Sequence, residues 1–197
     1  TKSLAYWPYR FTTDKDADEL LDYFRYLTEQ GKHVAIMAHI THIKELQTPA
    51  VELAIKRIQA TGAVIRCQAP IIKDINDSAQ EWIDLWNKEV QLGMFPYHMF
   101  VEANTDPNGC FQIPLAKALQ VFQSARKSAT SIARAVRGPT FMNNNMRVEI
   151  LAIEEFDGKK FFVLKCLQAL DAKEEGKIRL YPYDPEITQI ENLRSLF

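Results

Sequence analysis

The stretch GKHVAIMAHITHIKELQTPAVELAIKRIQATG, residues 31–62, decides the fold. It opens with a short apolar run, His33 to Ala38, and ends in a segment whose apolar residues recur at helical spacing. That segment begins at Thr48-Pro49, where a capping threonine precedes a proline suited to the first helical position. The stretch therefore predicts one strand followed by one helix, the unit from which parallel α/β sheets are built.

This unit recurs along the chain. Gly31, Gly62 and Gly93 lie 31 residues apart, and each follows an amphipathic segment. Glycine just past a helix end adopts the left-handed conformation at little steric cost. Helices are predicted from Thr13 or Asp14 to Gln30, from Thr48-Pro49, from Asp77 or Ser78, and from Pro114 to Arg126. Strands are predicted at Leu4 to Trp7, His33 to Ala38, Ala63 to Ala69, Phe95 to Val101 and Ile132 to Val136.

Apolar strands separated by amphipathic helices indicate a parallel sheet that is covered on its faces, and hence the α/β class. Five strands are too few for a closed eight-stranded barrel. The pattern alone leaves open a partial parallel (β/α) barrel or an open doubly wound sheet.

The pattern changes after Gly138. Arg147 to Phe156 and Lys159 to Leu167 flank Asp157-Gly158, which is a strong signal for a β-hairpin. The polar tail that follows is predicted to end in a short helix near residues 187–196. We therefore expect one domain over residues 1–197, with β/α units in 1–138 and the hairpin and tail in 139–197.

Composition limits the classes of function. The net charge is −1 and no run of five like charges occurs, which argues against a nucleic-acid surface or a polybasic membrane patch. The three cysteines, Cys67, Cys110 and Cys166, have neither disulfide nor metal-site spacing. They are typical of reduced thiols, so a cytoplasmic location is expected.

Polar side chains follow the predicted strands, where functional residues of α/β proteins gather. His39 and His42, with Glu45 three residues further on, have a spacing that could bind a metal or hold an anionic ligand. The alternative is that one histidine caps a helix or packs against a loop.

Two strands carry arginines that suit a carboxylate or a phosphate. Arg66 and Gln68 share one face of a predicted buried strand, and they need polar partners there, from a ligand or from a structural network. Arg134 and Arg137 lie at the last predicted strand, where a structural ion pair is the alternative. Arg66, Arg134 and Arg137 are the expected substrate-binding residues.

The order of these motifs resembles a known family. The motifs are His39-x-x-His42-x-x-Glu45, a strand bearing Gln68 before Ile75-Asn76-Asp77, Gly93-x-x-Pro96-Tyr97, and Arg137-Gly138-Pro139. From about Leu4 to Leu167 they resemble the later barrel strands of lysine 2,3-aminomutase-like radical S-adenosylmethionine enzymes. The resemblance implies a half barrel, a [4Fe-4S] cluster and S-adenosylmethionine, with His39, His42 and Gln68 at the cofactor and Glu45 supporting their loop.

The chain departs from that family at three places, one of which is Ile43, where the family commonly has proline after the second histidine. It lacks the Cys-x-x-x-Cys-x-x-Cys cluster motif, so the cluster and S-adenosylmethionine are expected only with an upstream segment, and this stretch alone is not expected to be catalytically competent. Arg147 stands where the aminomutases carry the lysine that binds pyridoxal phosphate. Because arginine forms no such imine, this position argues against pyridoxal phosphate.

The expected function is therefore part of a radical S-adenosylmethionine enzyme of the aminomutase-like branch, acting on an unidentified small molecule. One alternative is a non-catalytic module that binds a small metabolite on a degenerate barrel. Another is a metal-dependent hydrolase built on His39 and His42. No nucleic-acid or membrane partner is expected, and homo-oligomerisation is left open.

Overall fold

The computed structural model describes residues 1–102, 109–143 and 146–190. The helices of four residues or more are α1 (Ser3–Tyr6), α2 (Ala17–Glu29), α3 (Pro49–Gln59), α4 (Ala79–Gln91) and α5 (Leu115–Ser128), with 3-10 helices at Pro8–Phe11 and Ile43–Leu46. The strands are β1 (Ala35–His39), β2 (Val64–Ile71), β3 (Phe95–Val101), β4 (Arg137–Asn143), β5 (Met146–Phe156), β6 (Lys159–Ala169) and β7 (Ile178–Pro182). None of the described helices is long and apolar enough to cross a membrane.

The strands form one sheet in the order β1 to β7. β1 pairs with β2 in parallel, and β3 pairs with β4 in parallel. From β4 onward each pairing is antiparallel. This confirms the predicted α/β class with a C-terminal hairpin, and it is consistent with the predicted partial barrel.

Internal contacts divide the chain into two compact units. The first comprises Thr1–Ala69, Gln80–Tyr97 and Ser128–Val136, and the second comprises Pro70–Ala79, His98–Lys127 and Arg137–Phe197. The single domain expected over residues 1–197 stays a prediction.

Helix α3 shows how the first unit forms. Thr48 caps it by accepting a hydrogen bond from the backbone N–H of Val51 at 3.3 Å, as predicted. Its apolar stripe of Val51, Ala54, Ile55 and Ile58 is buried. Each large aliphatic side chain removed from water in this way stabilises the fold by about 1.5–3 kcal/mol.

The 31-residue glycine punctuation is also confirmed. Gly31, Gly62 and Gly93 follow α2, α3 and α4, and all have positive φ, between 73° and 84°. A residue with a side chain would be strained there, so the repeat in the sequence marks the ends of three helices.

The second unit is organised around the predicted hairpin. Asp157 and Gly158 both have positive φ, as a two-residue turn between β5 and β6 requires. Val148 of β5 lies between Phe141 of β4 and Cys166 of β6 across the sheet, and all three are buried. One face of these strands therefore forms the core of the unit.

Two predicted strands are wrong. Residues 4–7 contribute to α1 and the start of a 3-10 turn. Leu4 alone is buried, while Tyr6 and Trp7 are exposed, so the segment lacks the alternating burial of a strand. Residues 132–136 form a 3-10 turn at Ala133–Ala135, in which the Arg134 N–H binds the Thr130 carbonyl. The strand begins only at Arg137.

Other boundaries differ less. Helix α2 begins at Ala17, because the N–H groups of Thr13 and Asp14 bind the carbonyl of Tyr9 and end the preceding turn. The sequence analysis missed β7, and residues 187–190 are not helical. The remainder of the predicted tail helix, residues 191–197, lies outside the described residues.

A bulge in β4 changes which side chains share a face. His98 of β3 is opposite Arg137, but Phe100 is opposite Thr140, so two residues of β4 face one residue of β3. The extra residue lies at Gly138-Pro139, where Gly138 has a φ of +131°. Arg137 and Thr140 are consequently both on the face that carries His98 and Phe100.

We predict that Gly138→Ala destabilises the protein more than Gly176→Ala. Both glycines have positive φ, so each alanine costs about 1–2 kcal/mol in backbone strain. A Cβ at Gly138 would also overlap the backbone oxygen of Met99, whereas one at Gly176 meets nothing. Urea unfolding should show a loss at Gly138 larger by about 1–3 kcal/mol, the usual cost of overpacking. Equal losses would contradict the bulge geometry.

Candidate functional site

A half-exposed polar face lies on the neighbouring strands β1 and β2 of the first unit. His39 is opposite Gln68 and Met37 is opposite Arg66, and these four side chains are partly exposed. The residues between them on each strand are buried, for instance Ala38. The structure thus places Arg66, Gln68 and His39 together on one face at the carboxyl-end half of the strands.

Arg66 carries an uncompensated charge on this face. Its guanidinium lies 5.5 Å from the centroid of the Tyr97 ring, a cation–π contact. Within the described ranges, no carboxylate lies within 4 Å of it, and the Gln68 amide likewise makes no hydrogen bond. A carboxylate or phosphate of a ligand would satisfy both groups.

The loop after β1 is held by Glu45, as the family resemblance implies. One carboxylate oxygen accepts hydrogen bonds from the N–H groups of Thr41 and His42, each at 3.0 Å. His42 accepts the N–H of Lys44 at Nδ1, over 3.1 Å, and so caps the following 3-10 helix. The capping role considered for one histidine therefore belongs to His42, and its Nε2 is the nitrogen left for a ligand.

His39 is the histidine at the strand end itself. Burial, followed by the positive charge of Lys2, lowers the pKa of its imidazole below the usual value. His39 is therefore neutral at pH 7, and each of its ring nitrogens can only donate or only accept a hydrogen bond.

Arg134 and Arg137 differ from expectation. Arg134 is exposed in the 3-10 turn of the first unit, and its Nε donates to the Ala129 carbonyl at 2.9 Å. Its predicted position on a strand was wrong, because the turn replaces the strand there. Arg137 starts β4 in the second unit, opposite His98.

The second unit contains a polar group that the sequence analysis missed. His98 Nε2 lies 2.7 Å from the Thr140 hydroxyl, and the His98 ring packs beside Phe100. Burial, then the charges of Arg147 and Arg137, lowers the pKa of His98 to about 4. His98 is therefore neutral at pH 7, and the β4 bulge places Arg137 opposite it.

A buried carboxyl group was also missed. Glu89 of α4 is only 2 % exposed and accepts a hydrogen bond from the Cys67 thiol of β2, whose sulfur is 3.9 Å from that of Met94. Burial raises the pKa of Glu89 well above its usual value. A signal was present, since Glu89 continues the stripe of Trp82, Leu85 and Trp86 at helical spacing.

The side chains of this chain can be compared with those that the cofactors of the resembled family require. In the described part of the chain, no three His, Cys, Asp or Glu side chains are close enough to hold a metal ion. Among the described residues, the buried thiols of Cys67 and Cys166 and the exposed thiol of Cys110 form no such group, so they do not fit an iron–sulfur cluster. The described residues also offer no third ligand beside His39 and His42 for a metal-dependent hydrolase. Arg147 does not fit an imine with pyridoxal phosphate.

Comparison with known proteins identifies a similar protein. Over 186 residues, 94 % of this chain, the sequence is 29 % identical to the Aquifex aeolicus (strain VF5) protein named "Putative L-lysine 2,3-aminomutase". The chain is similar to an aminomutase-like protein. It covers 48 % of that relative and so spans about half its length. No family model matches the chain.

We predict that Glu89 makes stability depend on pH. Because its folded pKa is raised above 4.5, the folded state keeps a proton that the unfolded chain loses. Stability is then full below about pH 4.5 and falls as pH rises toward the folded pKa, by up to about 1.4 kcal/mol per pH unit.

Chemical unfolding at pH 5, 6, 7 and 8 tests this prediction. Glu89→Gln mimics the protonated acid, so its stability relative to the wild type should improve as the pH rises. Glu19→Gln, at an exposed site on α2, is the matched control and should show no such trend. A constant difference between Glu89→Gln and the wild type across these pH values would show that Glu89 is ionised in the fold.

Proposed function

We propose that this chain forms part of a radical S-adenosylmethionine enzyme of the aminomutase-like branch, acting on a small-molecule substrate. The observation that carries the proposal is the similarity to the aminomutase-like relative over 94 % of the chain. The polar face of β1 and β2 supports it, since ligands of parallel α/β proteins bind at the carboxyl ends of the strands.

The residues of this face have distinct roles in the proposal. Arg66, which has no acidic partner among the described residues, binds a carboxylate of the cofactor or the substrate. Gln68 and neutral His39 hydrogen-bond polar groups beside it. His42 presents Nε2 from a loop that Glu45 holds in place. Bound at this face beside a reduced cluster that donates one electron, S-adenosylmethionine would supply a 5′-deoxyadenosyl radical for hydrogen abstraction.

The cluster ligands belong, in this proposal, to a segment of the whole protein outside these 197 residues. The donor set described above does not fit a cluster, so this stretch alone does not perform radical chemistry.

In this proposal the reaction does not depend on pyridoxal phosphate. The guanidinium of Arg147 stays protonated and cannot form the imine through which that cofactor is held. The substrate is therefore activated without an external imine, which separates this protein from aminomutases that depend on one.

We predict that the whole protein, including its upstream sequence, binds iron and sulfide under anaerobic conditions and cleaves S-adenosylmethionine to 5′-deoxyadenosine after reduction. Arg66→Gln and Gln68→Ala should each weaken S-adenosylmethionine binding or turnover by about tenfold or more, because charge-assisted hydrogen bonds contribute about 1.5–3 kcal/mol. Iron analysis, electron paramagnetic resonance and 5′-deoxyadenosine quantification measure these effects.

Gln91→Ala is the matched control, because Gln91 is exposed at the end of α4 and is not one of the residues of the polar face of β1 and β2. It should leave both cluster and turnover unchanged. A whole protein without an upstream cysteine triad, or without iron after reconstitution, would overturn the proposal. Metabolite binding by that iron-free protein would instead support the non-catalytic module.

A further inference from the structure

We propose that β3, β4 and β5 of the second unit carry an oxyanion-binding site formed by Arg147, Arg137, His98 and Thr140. Its ligand is a carboxylate or a phosphate group of a small molecule. The inference goes beyond the proposed function, because binding at this site requires neither a cluster nor S-adenosylmethionine.

The strand register places the site's residues on one face. Met142 of β4 is opposite Arg147 of β5, and Thr140 is opposite Glu149. The intervening Phe141 is fully buried on the other face. Side chains alternate along a strand, so Thr140 and Arg147 project from the same side of the sheet.

The bulge in β4 adds Arg137 to this face. In a regular strand, Arg137 and Thr140 would point to opposite faces, because they are three residues apart. With the extra residue at Gly138-Pro139, Arg137 pairs with His98, whose ring is hydrogen-bonded to Thr140. The charges of both Arg137 and Arg147 also lower the pKa of the His98 ring.

One nitrogen of the Arg147 guanidinium, the Nε atom, is buried without a hydrogen-bond partner in the part of the chain that the structure describes. In that same part, neither Arg147 nor Arg137 lies within 4 Å of a carboxylate. A buried, charged donor left unsatisfied is costly, and an oxyanion would remove that cost.

The charges near His98 favour an anion. Glu149 and Glu154 of β5 share this face of the sheet, and Lys165 of β6 lies directly opposite Glu149. Around His98, which is neutral at pH 7, Arg137 and Arg147 contribute two positive charges. These two charges attract a carboxylate or a phosphate.

The donor set also indicates the class of ligand. A guanidinium presents N–H groups in a planar fork that matches two oxygens of a carboxylate or phosphate. The buried Thr140 hydroxyl and the His98 ring provide further hydrogen-bonding groups beside it. A small organic acid or a phosphate monoester fits this set, and a neutral or cationic ligand does not.

Calorimetric titration of the protein with inorganic phosphate and with acetate tests the proposal, in chloride buffers of matched ionic strength. The expected result is saturable binding of at least one anion, weakened by about tenfold or more in Arg147→Gln, because a charge-assisted hydrogen bond is lost. Arg179→Gln removes the same charge from β7 of the same unit and should leave the affinity unchanged.

The outcomes are distinguishable. No saturable binding of either anion, or equal weakening by Arg179→Gln and Arg147→Gln, would overturn the site and indicate only general charge attraction. If a thermal melt shows that Arg147→Gln does not fold, Arg137→Gln and Thr140→Val are measured in its place. An anion affinity that is unchanged in both variants would also overturn the site. The titration uses protein without iron, so its failure would leave the proposed function standing.

The pKa of His98, measured by nuclear magnetic resonance as the anion is added, provides a second test. If Arg147 had only a structural role, adding the anion would not change this pKa. A bound anion offsets the two cations, so it should raise the pKa of His98 from about 4. A pKa that stays constant as phosphate saturates the protein would place the anion elsewhere and overturn the site.

Discussion

The fold depends on one constraint, the burial of a single face of each strand while the opposite face stays available to polar groups. In the first unit, Ile65 and Cys67 occupy the buried face of β2, which leaves Arg66 and Gln68 on the other. A register shift of one residue would exchange these sets and bury a guanidinium without a partner. The apolar alternation that stabilises the strand therefore also positions the side chains that can bind a ligand.

Local signals made much of this fold predictable. The Thr48-Pro49 start of α3 and the Asp157-Gly158 turn depend on neighbouring residues alone, so they were found from the sequence. Residues 4–7 and 132–136 have apolar character without strand alternation. They form turns in which Leu4 and Ala133 are buried, while Tyr6, Trp7 and Ile132 are exposed. Short apolar runs do not by themselves distinguish these outcomes.

The candidate sites were predictable only in part, for a physical reason. Arg66 and Gln68 share a face by alternation within one strand, so the sequence suffices to place them. The contact of His98 with Thr140 joins residues 42 positions apart and depends on a bulge that shifts the register of β4. No pattern within a single segment encodes that shift, although Gly138 before a proline is a local sign of irregular backbone.

The chemistry available to the second unit follows from the permanent charge of arginine. A lysine at position 147 could lose its proton and attack a carbonyl, whereas Arg147 remains a cation at any physiological pH and can only stabilise negative charge. Burial keeps His98 neutral, and the same cations add to this effect, since protonating the ring would place a third positive charge near them. An anion that neutralises Arg147 would weaken the second of these causes and raise the pKa of His98. Ligand charge and imidazole protonation are thereby coupled on this face of the sheet, with no covalent bond to the ligand required.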